Sequence, residues 1–366
     1  MTGGKDAAAR VRGVIRQSVL AGRAYHVADA AGLVKLDAME NPYPWPESLR
    51  GAWLEALRGI SLNRYPDADA GGLKSKLRSV FSIPSSAEVL LGNGSDEIIQ
   101  MLALAIARPG AVLLAPEPSF SMYRVIADVA GLRYVGVPLR APDFELDRKA
   151  MLAAIEANQP ALVILAYPNN PSGNLFAEAD IEAILEAAPG AVVVDEAYHA
   201  FAGSSFLPRL ERDDKLLVMR TLSKIGMAGL RLGFLAGAPA WIEQFEKLRL
   251  PYNIGTLTQA SVGFFLDHMD VFDEQAARIR AERDRVSQRL RELPGIRAWP
   301  SAANFILARS TAAPAESIHG QLLERKLLIK SLHGAHPMLA ECLRITIGSA
   351  KENDALLAAL AAILVR

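Results

Sequence analysis

A chain of 366 residues is long for one compact domain and short for three, so two domains around a sizeable core are expected. Lys+Arg and Asp+Glu number 40 each, so the basic excess that general nucleic-acid binding needs is absent, and 51% apolar with 22% charged residues is globular rather than disordered composition. The single cysteine, Cys342, excludes an intrachain disulfide and argues against a cysteine-based metal site. In chain order, 1–35 reads as an arm or a lone helix that contributes to the small domain. Its Lys5, Arg10, Arg12 and Arg16 leave no apolar run for a secretory signal. Asn41-Pro42-Tyr43-Pro44-Trp45-Pro46 is a turn-forming linker. Short apolar runs then predict strands at Val89–Leu91, Ala111–Ala115, Leu132–Val137, Ala161–Ala166, Ala191–Asp195, Leu216–Arg220 and Leu232–Gly237. Helical segments separate several of them, at Asp96–Ala107, Ser119–Ala130, Asp147–Asn158 and Glu178–Ala188. That alternation predicts βαβ units and a mostly parallel sheet, and runs that are apolar throughout predict helices on both of its faces.

After about residue 240 the pattern changes. Trp241–Arg249 reads as helix, and Pro251-Tyr252-Asn253 breaks it. Gln259–Leu293 reads as a long charge-laced helix interrupted near His268. Strand runs at Asn304–Ala308 and Cys342–Ile347 are each followed by a helix, which predicts a smaller α+β domain. The expected division is an arm at 1–35, a large domain at 36–250 and a small domain at 251–366. The longest apolar run, Ala355–Val365, is shorter than the roughly 20 residues of a spanning helix and reads as a buried C-terminal helix, so a cytoplasmic protein without a membrane partner is expected.

The six histidines include one close pair, His333 and His336, in a Gly/Pro loop without acidic partners at ligand spacing, and no metal site is expected. There is no Gly-x-Ser-x-Gly elbow and no P-loop. Four polar clusters, each immediately after a predicted strand, carry the candidate chemistry. Gly92-Asn93-Gly94-Ser95-Asp96-Glu97 opens a helix, where backbone N–H groups and the helix terminus suit a phosphate; a tight turn with a Ser95 or Asp96 cap is the plainer alternative. Ala166-Tyr167-Pro168-Asn169-Asn170-Pro171-Ser172-Gly173, with two asparagines between prolines, is a rigid turn in which one X–Pro bond is a candidate for cis; a strong turn alone is the plainer alternative. Asp195-Glu196 ends an apolar strand, either as a ligand carboxylate or as a cap. Thr221-Leu222-Ser223-Lys224 places a lysine in apolar company, which lowers its pKa and suits an amine nucleophile, and Arg231 with the two hydroxyls suits an anion; a surface lysine is the alternative. An anion cradle, an amide, a carboxylate and an amine together match one ligand, pyridoxal 5′-phosphate.

These runs resemble the class I/II aminotransferases of fold type I. Within that group the chain is similar to histidinol-phosphate aminotransferases, through Leu36–Tyr43, Asn63–Asp67, Gly94–Glu97, Pro118–Tyr123, Thr221–Lys224 and Cys342–Gly348. The resemblance implies an α/β fold with a mostly parallel seven-stranded sheet sandwiched by helices, and a homodimer with shared active sites. It implies a ping-pong reaction in which L-glutamate and imidazole acetol phosphate give 2-oxoglutarate and L-histidinol phosphate. It further implies Lys224 as the amine that bonds the cofactor aldehyde and carries the proton, Asp195 at the ring nitrogen, Tyr198 and Asn170 at the phenolic oxygen, and Phe120 on the ring face. Gly94, Ser95, Asp96, Thr221, Ser223 and Arg231 would hold the phosphate, with Tyr65 reaching that of the neighbouring subunit. Arg344 would take the substrate anions, and Tyr25, Asn41, Tyr65 and Asn170 would line the substrate pocket. Lys330 stands where relatives carry a second arginine, keeping the charge without the bidentate fork. Related chemistries on the same motifs are aromatic or other amino-acid transamination and threonine-phosphate decarboxylation. A non-catalytic aminotransferase-like module is a third reading, disfavoured by the presence of Lys224, and a nicotinamide dehydrogenase a fourth.

Overall fold

The computed structural model describes residues 3–22, 24 and 28–364. Tyr25, expected in the substrate pocket, lies outside the described residues. The chain begins with α1 (Gly3–Val14), α2 (Gln17–Leu20), β1 (Val34–Lys35), α3 (Glu47–Leu57) and α4 (Gly71–Val80). Strands and helices then alternate through β2 (Glu88–Gly92), α5 (Ser95–Ile106), β3 (Val112–Glu117), α6 (Met122–Ala130), β4 (Arg133–Pro138) and α7 (Arg148–Asn158). The series continues with β5 (Leu162–Ala166), α8 (Glu178–Ala187), β6 (Ala191–Asp195), α9 (His199–Ala202), β7 (Leu216–Thr221), β8 (Gly233–Gly237) and α10 (Pro239–Glu246). Local chemistry sets several ends. Asp147 caps α7 by accepting from the Ala150 N–H at 2.9 Å. Gly131, at φ +80°, closes α6 in the left-handed conformation a helix stop needs. The helix expected from Ser119 starts only at Met122, because Phe120 and Ser121 are spent in a turn in which Tyr123 N–H bonds Phe120 O at 3.1 Å.

The seven strands from β2 to β8 form one sheet in the order β2-β8-β7-β6-β5-β3-β4. Strand β8 is antiparallel to both its neighbours, and the other six point the same way. Alternate residues of the central strands feed two cores. Val163, Leu165, Val192, Val194 and Val218 face one, and Leu162, Ile164, Ala191, Val193 and Leu217 the other. A sheet covered on both faces admits polar groups only at its strand ends. The carboxyl ends of β2, β3, β5, β6 and β7 therefore bring the loops at 93–96, 118–121, 167–173, 195–198 and 221–224 to one edge, where β8 also begins.

The remaining elements are α11 (Thr256–Leu266), α12 (Met269–Glu292), β9 (Ile296–Ala298), β10 (Phe305–Ser310), α13 (Ala315–Glu324), β11 (Leu327–Leu328), β12 (Lys330–Ser331), β13 (Cys342–Thr346) and α14 (Ala350–Leu364). The expected long helix is thus broken at Asp267-His268. Four strands form an antiparallel sheet in the order β12-β13-β10-β9. Strand β1 joins this end of the molecule by pairing parallel with β11, while Arg16 reaches back to the Val129 carbonyl of α6.

Helix α11 packs on α3 and α4, and Val262, Phe265 and Phe272 belong to a core of the seven-stranded sheet. Ala276, Ile279, Val286 and Leu290, farther along α12, belong to the core of the smaller sheet. Phe272 of α12 thus packs in the larger core and Ala276, one turn later, in the smaller one. Among the described residues no helix is long and apolar enough to cross a membrane.

Candidate active site

The loop after β2 is built for close approach. Gly94 sits at φ +81° before α5, and a Cβ there would lie 2.6 Å from Nη2 of Arg231. A Cβ on Gly233 would lie 2.8 Å from both Gly94 C and Ser95 N, so only glycine lets the start of β8 pass this loop. Arg231 donates to Ser223 Oγ at 3.3 Å and to Asn93 O at 3.5 Å, and Thr221 Oγ1 donates to Ser223 Oγ at 3.0 Å. Hydroxyls, a guanidinium and the N-terminus of the twelve-residue helix α5 thus converge on one tight cradle.

Lys224 follows β7 in a wide turn, Ser223–Met227, that contains Gly226 at φ +122°. Its Nζ donates to Ala38 O at 3.2 Å. Burial, helped by the nearby Arg344 charge, lowers the Lys224 pKa to about 8. An amine in that range supplies neutral nucleophile near neutral pH. The turn is clamped from outside. Trp45 Nε1 donates to Gly226 O at 3.0 Å, and Asn41 Nδ2 donates to Ile225 O at 3.0 Å and to Gln275 Oε1 at 2.8 Å. Both N–H groups of Asn41 are thus engaged within the protein, and its Oδ1 accepts from Tyr43 N–H at 2.9 Å. The amide expected to line the substrate pocket also braces the lysine turn.

Of the acidic pair ending β6, the structure separates the two members. Glu196 is fully buried and turns to Arg220, which donates to its Oε2 at 2.9 and 2.8 Å, and to Ser205. Asp195 accepts from Ala197 N–H at 3.1 Å and from the Tyr123 hydroxyl at 2.6 Å. Burial raises its pKa to about 6, against the two hydrogen bonds, which lower it. Asn170 Nδ2 donates to Tyr198 Oη at 3.3 Å, and Arg344 of β13 donates to Asn170 Oδ1 at 2.7 Å and to Asp37 O at 3.0 Å. Burial raises the Tyr198 pKa, and the Arg344 charge lowers it. Asn170 therefore joins the two sheets. Its bond to Pro171 and that of Tyr167 to Pro168 are both cis, where one was expected. Lys330 is exposed and lies directly across the strand pair from Arg344, which puts both side chains on one face. Phe120, half-buried, meets the Tyr123 ring edge-on at 5.5 Å.

Tyr65 stands apart from the others. It is 79% exposed and stacks on Tyr252 with ring centroids 4.4 Å apart. Two buried partners of the site, Tyr123 and Gln275, carried no role in the sequence. Tyr123 lies one helical turn after Phe120, a spacing that was available as a signal, but its acceptor is 72 residues away. Gln275 reaches Asn41 across 234 residues, and no local pattern announces that contact.

The donor set fits pyridoxal 5′-phosphate: a tight anion cradle, a buried carboxyl for a ring nitrogen and a half-buried amine of lowered pKa for an aldehyde. Comparison with known proteins agrees. Residues 31–360 match the family described as aminotransferase class I and II. Histidinol-phosphate aminotransferase 2 of Nitrosococcus oceani is 56% identical, over 96% of this chain and 98% of that protein. The histidinol-phosphate aminotransferase of Chromobacterium violaceum is 54% identical, over 96% and 98%. Among solved structures, histidinol-phosphate aminotransferase from Sinorhizobium meliloti in complex with pyridoxal-5′-phosphate superposes with a TM-score of 0.85 at 24% identity, covering 96% of this chain and 98% of that one, a likeness of fold. Sequence, fold and site geometry lead to one assignment: the chain belongs to the aminotransferase class I and II family.

Proposed function

We propose that this chain is a pyridoxal-phosphate-dependent aminotransferase that converts L-glutamate and imidazole acetol phosphate into 2-oxoglutarate and L-histidinol phosphate. The observation that carries the substrate is the 56% identity to a histidinol-phosphate aminotransferase along nearly the whole of both chains. Pyridoxal 5′-phosphate, when bound, supplies the aldehyde carbon that carries the amino group and a ring that delocalises the charge left on the substrate Cα. The protein's own groups do the rest. Lys224 Nζ takes and returns the proton at the substrate Cα, a task its lowered pKa suits. Asp195 holds a proton at the ring nitrogen. Thr221, Ser223, Arg231 and the backbone at Gly94, Ser95 and Asp96 bind the phosphate, Phe120 covers the ring face, and Tyr198 with Asn170 orients the phenolic oxygen. Arg344, fixed on Asn170 and Asp37, receives the carboxylate of glutamate in one half of the cycle and the substrate phosphate in the other, with Lys330 beside it.

The working unit in this reading is a homodimer. Leu62, Tyr65 and Leu250 are 67%, 79% and 72% exposed, an apolar group that a second copy covers, and Tyr65 then reaches the partner copy's phosphate site. A cytoplasmic location goes with this biosynthetic role. The test is a visible absorption scan of the cofactor-loaded protein. L-histidinol phosphate should abolish the visible band and 2-oxoglutarate should restore it. A band indifferent to histidinol phosphate but responsive to aromatic amino acids would overturn the substrate assignment.

A further inference from the structure

Asp195 is a buried carboxylate with sparse support. Among the described residues it has no cationic partner: the nearby guanidinium of Arg220 is committed to Glu196. Its Oδ1 is held by a backbone N–H and its Oδ2 by the Tyr123 hydroxyl, the shorter of the two contacts at 2.6 Å. Tyr123 itself is fully buried, packed in the core between α5, α6 and the sheet. Its backbone N–H is tied to Phe120 O at 3.1 Å and its ring meets Phe120 edge-on at 86°. The phenol thus donates to Asp195, and its ring meets one aromatic neighbour, Phe120.

We propose that Tyr123 is a positioning residue of the catalytic machinery: its hydroxyl aims the Asp195 carboxylate at the cofactor ring nitrogen, and its ring edge sets the plane of Phe120 over the cofactor face. The inference rests on the pyridoxal-phosphate reading above. Its physical basis is an asymmetry of hydrogen bonding. A phenol donates a stronger bond to a carboxylate than to a neutral carboxyl, so it favours the ionised form. Burial raises the phenol's own pKa, which keeps it a donor. Without that donor, burial acts on Asp195 opposed by the Ala197 N–H alone. The carboxyl is then neutral over more of the working pH range, and a neutral carboxyl cannot hold a proton on the ring nitrogen.

Tyr123→Phe removes one oxygen and keeps the ring. With the cofactor-loaded enzyme, the pH dependence of the visible spectrum and the cofactor retained after dilution are read beside turnover. The expected result is an acid-side spectral midpoint higher by about one pH unit, cofactor retention about tenfold weaker, kcat lower by about tenfold or more and KM for glutamate nearly unchanged. In an Asp195→Asn background the same change should add little, because the two groups act as one unit. An unmoved midpoint with unchanged retention would overturn the proposal, even if thermal stability fell. If the phenylalanine variant folds poorly, 3-fluorotyrosine at position 123, a more acidic donor of similar size, should move the midpoint the opposite way; no movement would again overturn the proposal. Wild-type protein that forms no visible band with pyridoxal 5′-phosphate would instead reject the function reading, and this inference with it.

Discussion

In the seven-stranded sheet, Asp195 and Lys224 stand at and just beyond strand ends, the first buried and the second half-buried, whereas in the four-stranded sheet Lys330 and Arg344 face each other across a strand pair, one exposed and the other half-buried. The first pair pays a desolvation cost and has shifted pKa values, to about 6 and about 8. The second pair sets two cations side by side, a geometry for binding anions. In the proposed function this separates cofactor chemistry, at groups with altered proton affinity, from substrate recognition, which needs charge that a ligand can reach. Asn170 and Gln275 are two of the places where the halves touch: Asn170 accepts from Arg344, and Gln275 stands between the two cores on α12.

If that separation holds, the largest effect belongs to Lys224. Lys224→Ala should lower turnover by at least about a thousandfold, the scale of losing a positioned proton-transfer group. It should also make the cofactor-free protein more stable at pH 7. The native pKa lies below the unfolded one, so this lysine lowers stability progressively as pH falls through about 8. Chemical denaturation of cofactor-free wild type and variant checks this, and a stability loss would mean that the lysine stem contributes to packing.

Asp195 gives the mirror-image case. Its native pKa, about 6, is above the unfolded value, so its contribution is fully present below about pH 4 and is lost as pH rises through about 6. Asp195→Asn should therefore stabilise the cofactor-free chain at pH 7.5 by about 3 kcal/mol and leave it nearly unchanged at pH 4, while turnover falls by about 10²- to 10³-fold. Melting curves at the two pH values decide it. Equal shifts at both would remove the carboxylate's burial as the cause.

Much of this was legible in the sequence because buried parallel strands are local signals. Runs such as Leu162–Ala166 and Ala191–Asp195 announce themselves, and so do the polar loops that must follow them. The pieces that escaped notice are set by partners far along the chain. β1, β9, β11 and β12 are two or three residues long, and β12, Lys330-Ser331, is not even apolar; pairing with β13 makes it a strand. α3 and α4 lie in a stretch for which the sequence predicted no element, and the packing of α11 on them is seen only in the fold. Asn41 was legible as a site residue, but its contact with the lysine turn was not. Its partners Ile225 and Gln275 are 184 and 234 residues away.

That brace supplies a smaller effect at the junction of the two regions. Gln275→Leu removes the acceptor of one Asn41 N–H and the donor to Pro44 O, 3.2 Å away, while keeping most of the buried volume. Stability should fall by about 1–3 kcal/mol, the cost of leaving a buried amide short of a partner. The kcat should fall by several-fold, because Asn41, which braces the lysine turn through Ile225 O, loses its anchor on α12. Unchanged kcat with lowered stability would show that the clamp on Gly226 by Trp45 suffices and that the two regions are less coupled than the geometry implies.

The smallest effect tests the other side of the comparison. Like charges directly opposite on neighbouring strands cost about 0.2–1 kcal/mol, so Lys330 is retained at some expense to the small sheet. Lys330→Ala should leave thermal stability equal or slightly raised at low salt. It should raise KM for the phosphorylated substrate by about three- to tenfold and KM for glutamate by less, since a phosphate dianion responds more strongly than a carboxylate to a second cation. Added salt should shrink the difference, as it does for exposed charges. Lys330→Arg restores a planar fork beside Arg344 and should lower the KM for the phosphorylated substrate below that of the wild type. If both variants leave that KM untouched, Arg344 binds the phosphate alone, and the pairing across β12 and β13 serves the sheet and not the substrate.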